Sequence, residues 1–318
     1  MVASLVFLPG LLVAEAGASD PAFDKPVPET LDDLRAIQAA VERVTAAAAP
    51  ATVALNLGFS GTGSGVVVSE DGYILTAAHV IGDANQTIQV VFPDGQVHTA
   101  KTLGSDTQND AGLAKLDGDG PWPFVPVADE DAPDVGEWVV ALGHPGGFDA
   151  DRPVVVRLGR VVRVRPLVGI QSDCSLIGGD SGGPLFNLDG EVVGIHSRIG
   201  HSARTNIHVA VGDYKAAWDG LAAGRQWGER RFPILGVVLG SDPDDRGVFV
   251  VQVLRGSPAA DAGLRRGDVI LSIDGAEVRD SRAVADHMAL QVPGDVVRVR
   301  VLRGTRELTF DAELGEVR

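Results

Sequence analysis

Gly179-Asp180-Ser181-Gly182-Gly183-Pro184-Leu185 sets a serine among glycines, directly ahead of the strand-like run Leu185-Phe186-Asn187. A serine hydroxyl attacks carbonyls poorly unless a base takes its proton and backbone N–H groups stabilise the oxyanion that forms. Glycines let the chain enter φ > 0 and turn its amides inward. Ser181 is therefore the candidate nucleophile, and the Gly179 and Ser181 N–H groups are the candidate oxyanion hole. Taken alone, the loop reads equally well as a Gly-rich β-turn, since short glycine motifs count only in context.

Two further stretches supply that context. Tyr73-Ile74-Leu75-Thr76-Ala77-Ala78-His79-Val80 runs from a strand into small residues and one histidine, which makes His79 the candidate base. A lone histidine beside apolar residues is otherwise a satisfied core residue. Asn109-Asp110-Ala111-Gly112-Leu113-Ala114-Lys115-Leu116 places a carboxylate ahead of an apolar run. Asp110 there can hold an imidazole in one tautomer, or be an ordinary turn aspartate.

The order His79, Asp110, Ser181 and the text around each residue resemble the chymotrypsin-like serine proteases, specifically the HtrA (DegP-like) family. The matching stretches include Gly63-Ser64-Gly65-Val66-Val67-Val68, Gly72-Tyr73-Ile74-Leu75-Thr76, Ile170-Gln171-Ser172-Asp173, Gly182-Gly183-Pro184-Leu185 and Val192-Val193-Gly194-Ile195. The resemblance implies a mainly β chain: a double β-barrel protease domain over 51–222, then a smaller module. Short strands over 52–57, 62–68, 87–92, 96–103 and 112–116 are expected to form one barrel. Strands over 137–142, 154–164, 191–198 and 206–211 are expected to form most of a second. The site then lies in the cleft between the barrels.

By the same resemblance, Ser175, Leu176 and Ile177, with Ile195, His196 and Ser197 on the facing wall, bound the specificity pocket. No acidic residue stands six positions before Ser181, where trypsin-like enzymes place their specificity carboxylate, so an aliphatic or small residue before the scissile bond is expected. Asp180 departs from the usual HtrA asparagine. In chymotrypsin-like zymogens this aspartate pairs with a newly cut N-terminus, but no Ile-Val-Gly-Gly-like sequence follows a processing site here, which leaves Asp180 without an evident partner. The stretch from Gly143-His144-Pro145-Gly146-Gly147 to Arg157 falls at the family's regulatory-loop position and is expected to be a loop.

Composition narrows the alternatives. The 318 residues are 45% hydrophobic, enough for real cores in two or three domains. With 43 acidic against 27 basic residues and net charge −16, nucleic acid and anionic membrane surfaces are poor partners. Cys174 has no internal disulfide partner and reads as a small core residue. His196, His201 and His208 cluster in sequence but match no zinc spacing, so neither metal nor cofactor is expected.

The apolar run 5–14, too short to span a bilayer, followed by Ala16-Gly17-Ala18, reads as a signal peptide over 1–18. It lacks the usual leading Lys or Arg, but export to the periplasm or outside the cell is expected. An N-terminal arm and helix occupy 19–50. Residues 20–29 read as extended, and Thr30 caps a helix with an apolar stripe Leu31, Leu34, Ile37, Val41 and Val44, stopped by Pro50. In HtrA proteins this region contributes to trimer contacts, which marks the arm around Phe23 as a candidate homotrimer contact.

After a short helix over 213–223, a polar hinge is expected over 223–231. From 232 to 318, Ile234-Leu235-Gly236-Val237-Val238, Gly256-Ser257-Pro258-Ala259-Ala260 and Gly267-Asp268-Val269-Ile270-Leu271-Ser272-Ile273-Asp274-Gly275 resemble a PDZ domain, a β-sandwich with helices. It would receive a peptide carboxylate on the amides of 234–236 and pair the peptide with Val237 and Val238. The combined expectation is a serine endopeptidase that cleaves unfolded or damaged proteins and captures C-terminal peptides. The alternatives are a chaperone or peptide-binding scaffold without turnover, and a signalling protease that makes one cut.

Overall fold

The structure is a computed structural model, and it describes residues 20–58, 61–199, 206–229, 231–242, 244 and 246–317. The expected signal peptide and His201 lie outside them. The chain divides into two compact units, the first taking 20–164, 169–198 and 206–227 and the second taking 165–168, 199 and the residues from 228 on.

The first unit opens with turns over 20–29 where the sequence suggested an extended arm; Phe23 N–H closes one of them onto Asp20 O at 2.8 Å. Helix α1 (Leu31–Ala48) follows. Thr30 Oγ1 accepts from Asp33 N–H while the Asp33 carboxylate accepts from Thr30 N–H, a capping box that satisfies two end donors. Asp33 also binds Lys25 at 2.9 Å, and these donors hold its carboxyl down to about 2. The buried stripe is Asp33, Ile37, Ala40, Val44 and Ala48. Leu31 and Leu34, expected in the stripe, stay exposed because the cap fills the inward position of the first turn. Ala40, Val44 and Ala48 join the core of the barrels, so α1 packs on the protease-like body.

The first barrel consists of β1 (Thr52–Asn56), β2 (Thr62–Val67), β3 (Tyr73–Ala77), β4 (Thr87–Val91), β5 (Val97–Asp106) and β6 (Ala111–Leu116). Its order β5-β4-β1-β2-β3-β6 closes through pairing of β5 with β6. Between β3 and β4 runs the one-turn helix α2 (Ala78–Ile81). The second barrel closes in the order β10-β11-β12-β9-β8-β7, from β7 (Trp138–Gly143), β8 (Val155–Arg165), β9 (Gly169–Ser172), β10 (Pro184–Phe186), β11 (Val192–Ile199) and β12 (Asn206–Ala210). Helix α3 (Val211–Ala222) then buries Tyr214, whose hydroxyl donates to Thr76 O at the end of β3 at 2.5 Å.

The hinge expectation needs correction. Gln226–Trp227 form β13, a parallel addition to β5 opposite Ser105 and Asp106, anchored further by Thr107 N–H to Trp227 O at 2.9 Å. The first five residues assigned to the hinge, 223–227, therefore belong to or precede a barrel strand.

The second unit is a sheet β15-β16-β17-β19-β20 with its own core around Val248, Val250, Ile270, Val297, Val299 and Val301. Its elements are β14 (Phe232–Ile234), β15 (Val237–Ser241), β16 (Val248–Val253), α4 (Pro258–Ala262), β17 (Val269–Ile273), β18 (Ala276–Glu277), α5 (Ser281–Ala289), β19 (Val296–Arg303), β20 (Arg306–Glu313) and β21 (Gly315–Val317). β14 pairs with β21, and β15 is an edge strand with α5 beside it. No described helix is long and apolar enough to cross a membrane.

Candidate active site

β3 ends at Ala77, and α2 then turns His79 out at the rim of the first barrel, with 43% of its side chain exposed. Its Nδ1 lies 3.0 and 2.9 Å from the two oxygens of Asp110, which is 5% exposed in its side chain. A carboxylate only accepts, so Nδ1 carries the proton and Nε2 keeps its lone pair. His79 N–H also donates to Asp110 Oδ1 at 3.0 Å, and Ala78 N–H to Asp110 O at 3.0 Å. Asp110 sits at φ +66, a left-handed conformation costing a non-glycine residue on the order of 1 kcal/mol. These bonds from α2 hold it there.

A third donor comes from the second barrel. Ser197 Oγ donates to Asp110 Oδ2 at 2.5 Å from the buried strand β11. Burial alone would raise the Asp110 carboxyl, but the hydrogen bonds from His79 and Ser197 outweigh it and hold the group below its ordinary value.

The Ser181 loop is fixed against both barrels. Ser64 on β2 donates its N–H to Ser181 O and its hydroxyl to Gly179 O, both at 2.8 Å, while its Oγ accepts from His144 N–H at 2.9 Å. Gly146 N–H donates to Gly178 O at 2.8 Å. Gly179 has φ +97, and a Cβ there would run into the Gly146 amide. Gly63 has no side chain where a Cβ would stand 2.6 Å from Val80 of α2 and 3.1 Å from Ser181 O, so the histidine turn and the serine loop approach each other across it.

Within the loop, Asp180 N–H goes to Ile177 O, Gly182 N–H to His196 O and Gly183 N–H to Asp180 O. Among the described residues, the Gly179 and Ser181 N–H groups have no protein acceptor. No hydrogen bond joins Ser181 Oγ to the His79 ring among the described residues; catalytic contacts of this kind commonly tighten only with substrate bound.

Of the expected pocket residues, Ser175 and Ile177 are exposed and Leu176 is buried. Ile195 and His196 have no solvent exposure. His196 turns into the barrel, with Nε2 at 3.1 Å from Leu142 O and Nδ1 at 2.9 Å from His208 Nδ1. In that stretch it is Ser197 that reaches the Asp110 carboxylate. Where the expected loop up to Arg157 overlapped the strand expected over 154–164, the strand prevails from Val155 on, because β8 pairs with β7 with Arg157 opposite Ala141. Asp180 has a partner after all: Arg157 Nη1 lies 2.9 Å from its fully buried carboxylate. Sequence reading named no supporting role for Ser64 or Arg157, and it placed Ser197 on the pocket wall rather than on the Asp110 carboxylate. Cys174 is buried, which pushes its thiol up to about 11 and makes it a poor nucleophile.

In the second unit the 234–236 loop is tied inward by its carbonyls: Ala259 N–H donates to Leu235 O and Leu254 N–H to Gly236 O, each at 2.9 Å. The Leu235 and Gly236 N–H groups have no acceptor among the described residues. Leu235 is buried, while Val238 is 43% exposed on the edge strand β15.

Two closed six-stranded barrels, with a His–Asp pair from the first facing a glycine-ringed serine from the second, define a chymotrypsin-like fold followed by a PDZ-like sheet. Residues 63–195 match the trypsin-like peptidase domain family and residues 233–314 the PDZ domain family. These two matches, with the relatives and solved structures below, support an HtrA-type protein with one PDZ domain. It is 37% identical over 277 residues to a probable periplasmic serine endoprotease DegP-like of Hahella chejuensis, covering 80% of this chain and 57% of that protein. It is 35% identical over 274 residues to the Pseudomonas putida protein of the same description, covering 80% and 55%. The chain thus spans little more than half the length of these relatives. Among solved structures, the serine endoprotease from Yersinia pestis is 28% identical with a TM-score of 0.51, covering 87% of this chain and 98% of that one. An HtrA-type protease, AlgW, with a bound tripeptide is 27% identical with a TM-score of 0.51, covering 87% and 97%.

Proposed function

We propose that the chain is a serine endopeptidase of HtrA type that cuts unfolded or damaged proteins and captures substrate C-termini on its PDZ domain. The observation that carries this reading is the His79 Nδ1 contact to Asp110 at 2.9 Å beside a serine loop with two amides that have no acceptor among the described residues. Ser181 Oγ attacks the scissile carbonyl as its proton passes to His79 Nε2, and the C=O electron pair becomes an oxyanion held by the Gly179 and Ser181 N–H groups. Collapse breaks the C–N bond, and His79 returns the proton to the departing amine. Water then repeats the sequence on the acyl-enzyme and frees Ser181. Asp110 keeps Nδ1 protonated and supports the imidazolium without accepting its proton.

Ser175, in place of an acidic residue, and the neighbouring Leu176 and Ile177 favour an aliphatic or small side chain before the cut. Export to the periplasm, the compartment in the relatives' names, and assembly as a homotrimer through the N-terminal region belong to the same reading. The deciding experiment is digestion of unfolded β-casein by the native protein beside Ser181→Ala and His79→Ala. Each variant should lose nearly all turnover, and the double variant should be little worse, because nucleophile and base act as one unit. Casein cleavage by purified Ser181→Ala would refute the assignment, and an inert native protein would favour a binding scaffold.

A further inference from the structure

Asp180 stands between the two residues whose amides are left unpaired, and its carboxylate has no solvent exposure. Arg157 Nη1 donates to Oδ1 at 2.9 Å, and Ile177 N–H donates to Oδ2 at 2.9 Å. Gly143, at the end of β7, makes room: a Cβ there would stand 2.5 Å from Oδ1. Arg157 is 16% exposed and is set in place by the β7–β8 ladder, opposite Ala141. A carboxylate buried without a cation must take up a proton or swing out to water. Swinging out would rotate the peptide groups on either side of Asp180, and those lead to the Gly179 and Ser181 N–H groups.

We propose that Arg157 is a positioning residue for the oxyanion hole. Its guanidinium keeps Asp180 turned inward, and this aims both amides at the reacting carbonyl. It supplies from within the chain the cation that a newly cut N-terminus supplies in chymotrypsin-like zymogens. The loop is then set when the second barrel folds, with no proteolytic step. The inference rests on the reading of Ser181 as nucleophile.

The test compares kcat and KM on a short chromogenic peptide, the rate of Ser181 labelling by a fluorophosphonate, and thermal stability for Arg157→Met, Arg157→Lys, Arg157→Gln, Ser181→Ala and the neutral pair Arg157→Gln with Asp180→Asn. Loss of a preorganised oxyanion donor costs about 100-fold in kcat, so Arg157→Met should fall by that order with KM changed less than about threefold. Labelling should slow in step, and Arg157→Lys should recover most of the loss. A kcat for folded Arg157→Met within about threefold of native, or a deficit that lysine does not restore, overturns the proposal. If Arg157→Met loses its fold, the neutral pair, which buries no lone charge, decides. A kcat that recovers in the folded double variant relative to Arg157→Gln alone supports the positioning role, and a double variant no faster than Arg157→Gln overturns it. Ser181→Ala separates the two levels: residual cleavage there refutes the nucleophile itself, whatever Arg157 does.

Discussion

His196 Nδ1 and His208 Nδ1 stand 2.9 Å apart inside the second barrel, and neither residue has solvent exposure. Such a contact needs one N–H and one lone pair. His196 Nε2 lies 3.1 Å from Leu142 O and so carries a proton, which leaves its Nδ1 to accept from His208 Nδ1–H. His208 Nε2 then accepts from the Ser172 hydroxyl at 2.7 Å. The chain is complete only when both rings are neutral, because a further proton on His196 Nδ1 would set N–H against N–H and one on His208 Nε2 would meet the Ser172 O–H that it accepts from.

The first prediction is a loss of stability in mild acid. Burial holds His208 down to about 3, and burial with the neighbouring ring holds His196 well below its ordinary value. Both folded values lie below the unfolded one of about 6.5. The stabilisation is therefore fully present above about pH 6.5 and is lost as the pH falls from there toward 3, since the unfolded chain binds protons that the fold excludes. For His208 alone this amounts to about 2 kcal/mol by pH 5, at about 1.4 kcal/mol per pH unit. Urea midpoints at pH 7.5 and pH 5 should separate widely for the native protein and less for His208→Asn. Equal separations would contradict the buried neutral pair.

Ser197→Ala should lower kcat about tenfold while the protein stays folded. The hydroxyl is one of the donors on the Asp110 carboxylate, and hydrogen bonds to charged groups contribute about 1.5–3 kcal/mol. The two donors from His79 remain and limit the loss. Steady-state kinetics on a chromogenic peptide give the answer, and an unchanged kcat would show that the α2 contacts alone orient Asp110.

Gly182→Ala should cost fold and activity together. Gly182 sits at φ +85, and a Cβ there would meet Thr76 Oγ1 and the Ser64 carbonyl, a backbone atom inside β2 that has no free space to move into. The strained dihedral and the forced shift together should cost about 3 kcal/mol, a drop of about 10 °C in melting temperature. Native-like melting would mean that the 179–183 loop is looser than its hydrogen bonds imply.

What was legible in the sequence divides by distance along the chain. His79, Asp110 and Ser181 each sit in a local pattern of strand end, small residues or glycines, so each could be read where it stands. The supports of the site are non-local. Ser64 meets Gly179 across 115 residues, and Ser197 meets Asp110 across 87. Arg157 meets Asp180 across only 23, but only after β8 has joined the barrel. No short pattern announces a serine or arginine whose partner arrives through barrel closure. β13 escaped notice for another reason: two residues carry no periodicity, and their pairing is decided by the edge of β5. Leu31 and Leu34 misled because spacing alone does not say which turn of a helix reaches the core, and Asp33 held that place through its cap.

The PDZ domain gives the last prediction. The carbonyls of Leu235 and Gly236 are bound inward while their amides have no acceptor among the described residues, next to an edge strand flanked by α5. A peptide adding to β15 would end at those amides, and its terminal carboxylate would accept from them. Charge-assisted bonds of this kind contribute about 1.5–3 kcal/mol, so amidation of a peptide ending in Val or Leu should weaken binding by about 10- to 100-fold. Gly236 is the sensitive position, mainly because of its own surroundings: at φ +80 a Cβ would collide with Ser257, whose hydroxyl donates to Gly236 O at 3.2 Å and whose side chain caps α4. Gly236→Val should therefore displace the loop from α4 and abolish binding of the free acid. Calorimetric titration of the native protein with free and amidated peptides tests the carboxylate, and the same titration with Gly236→Val tests the loop. Equal affinity for the two peptides would show that the loop amides do not read a C-terminus, and the domain would then be a packing module.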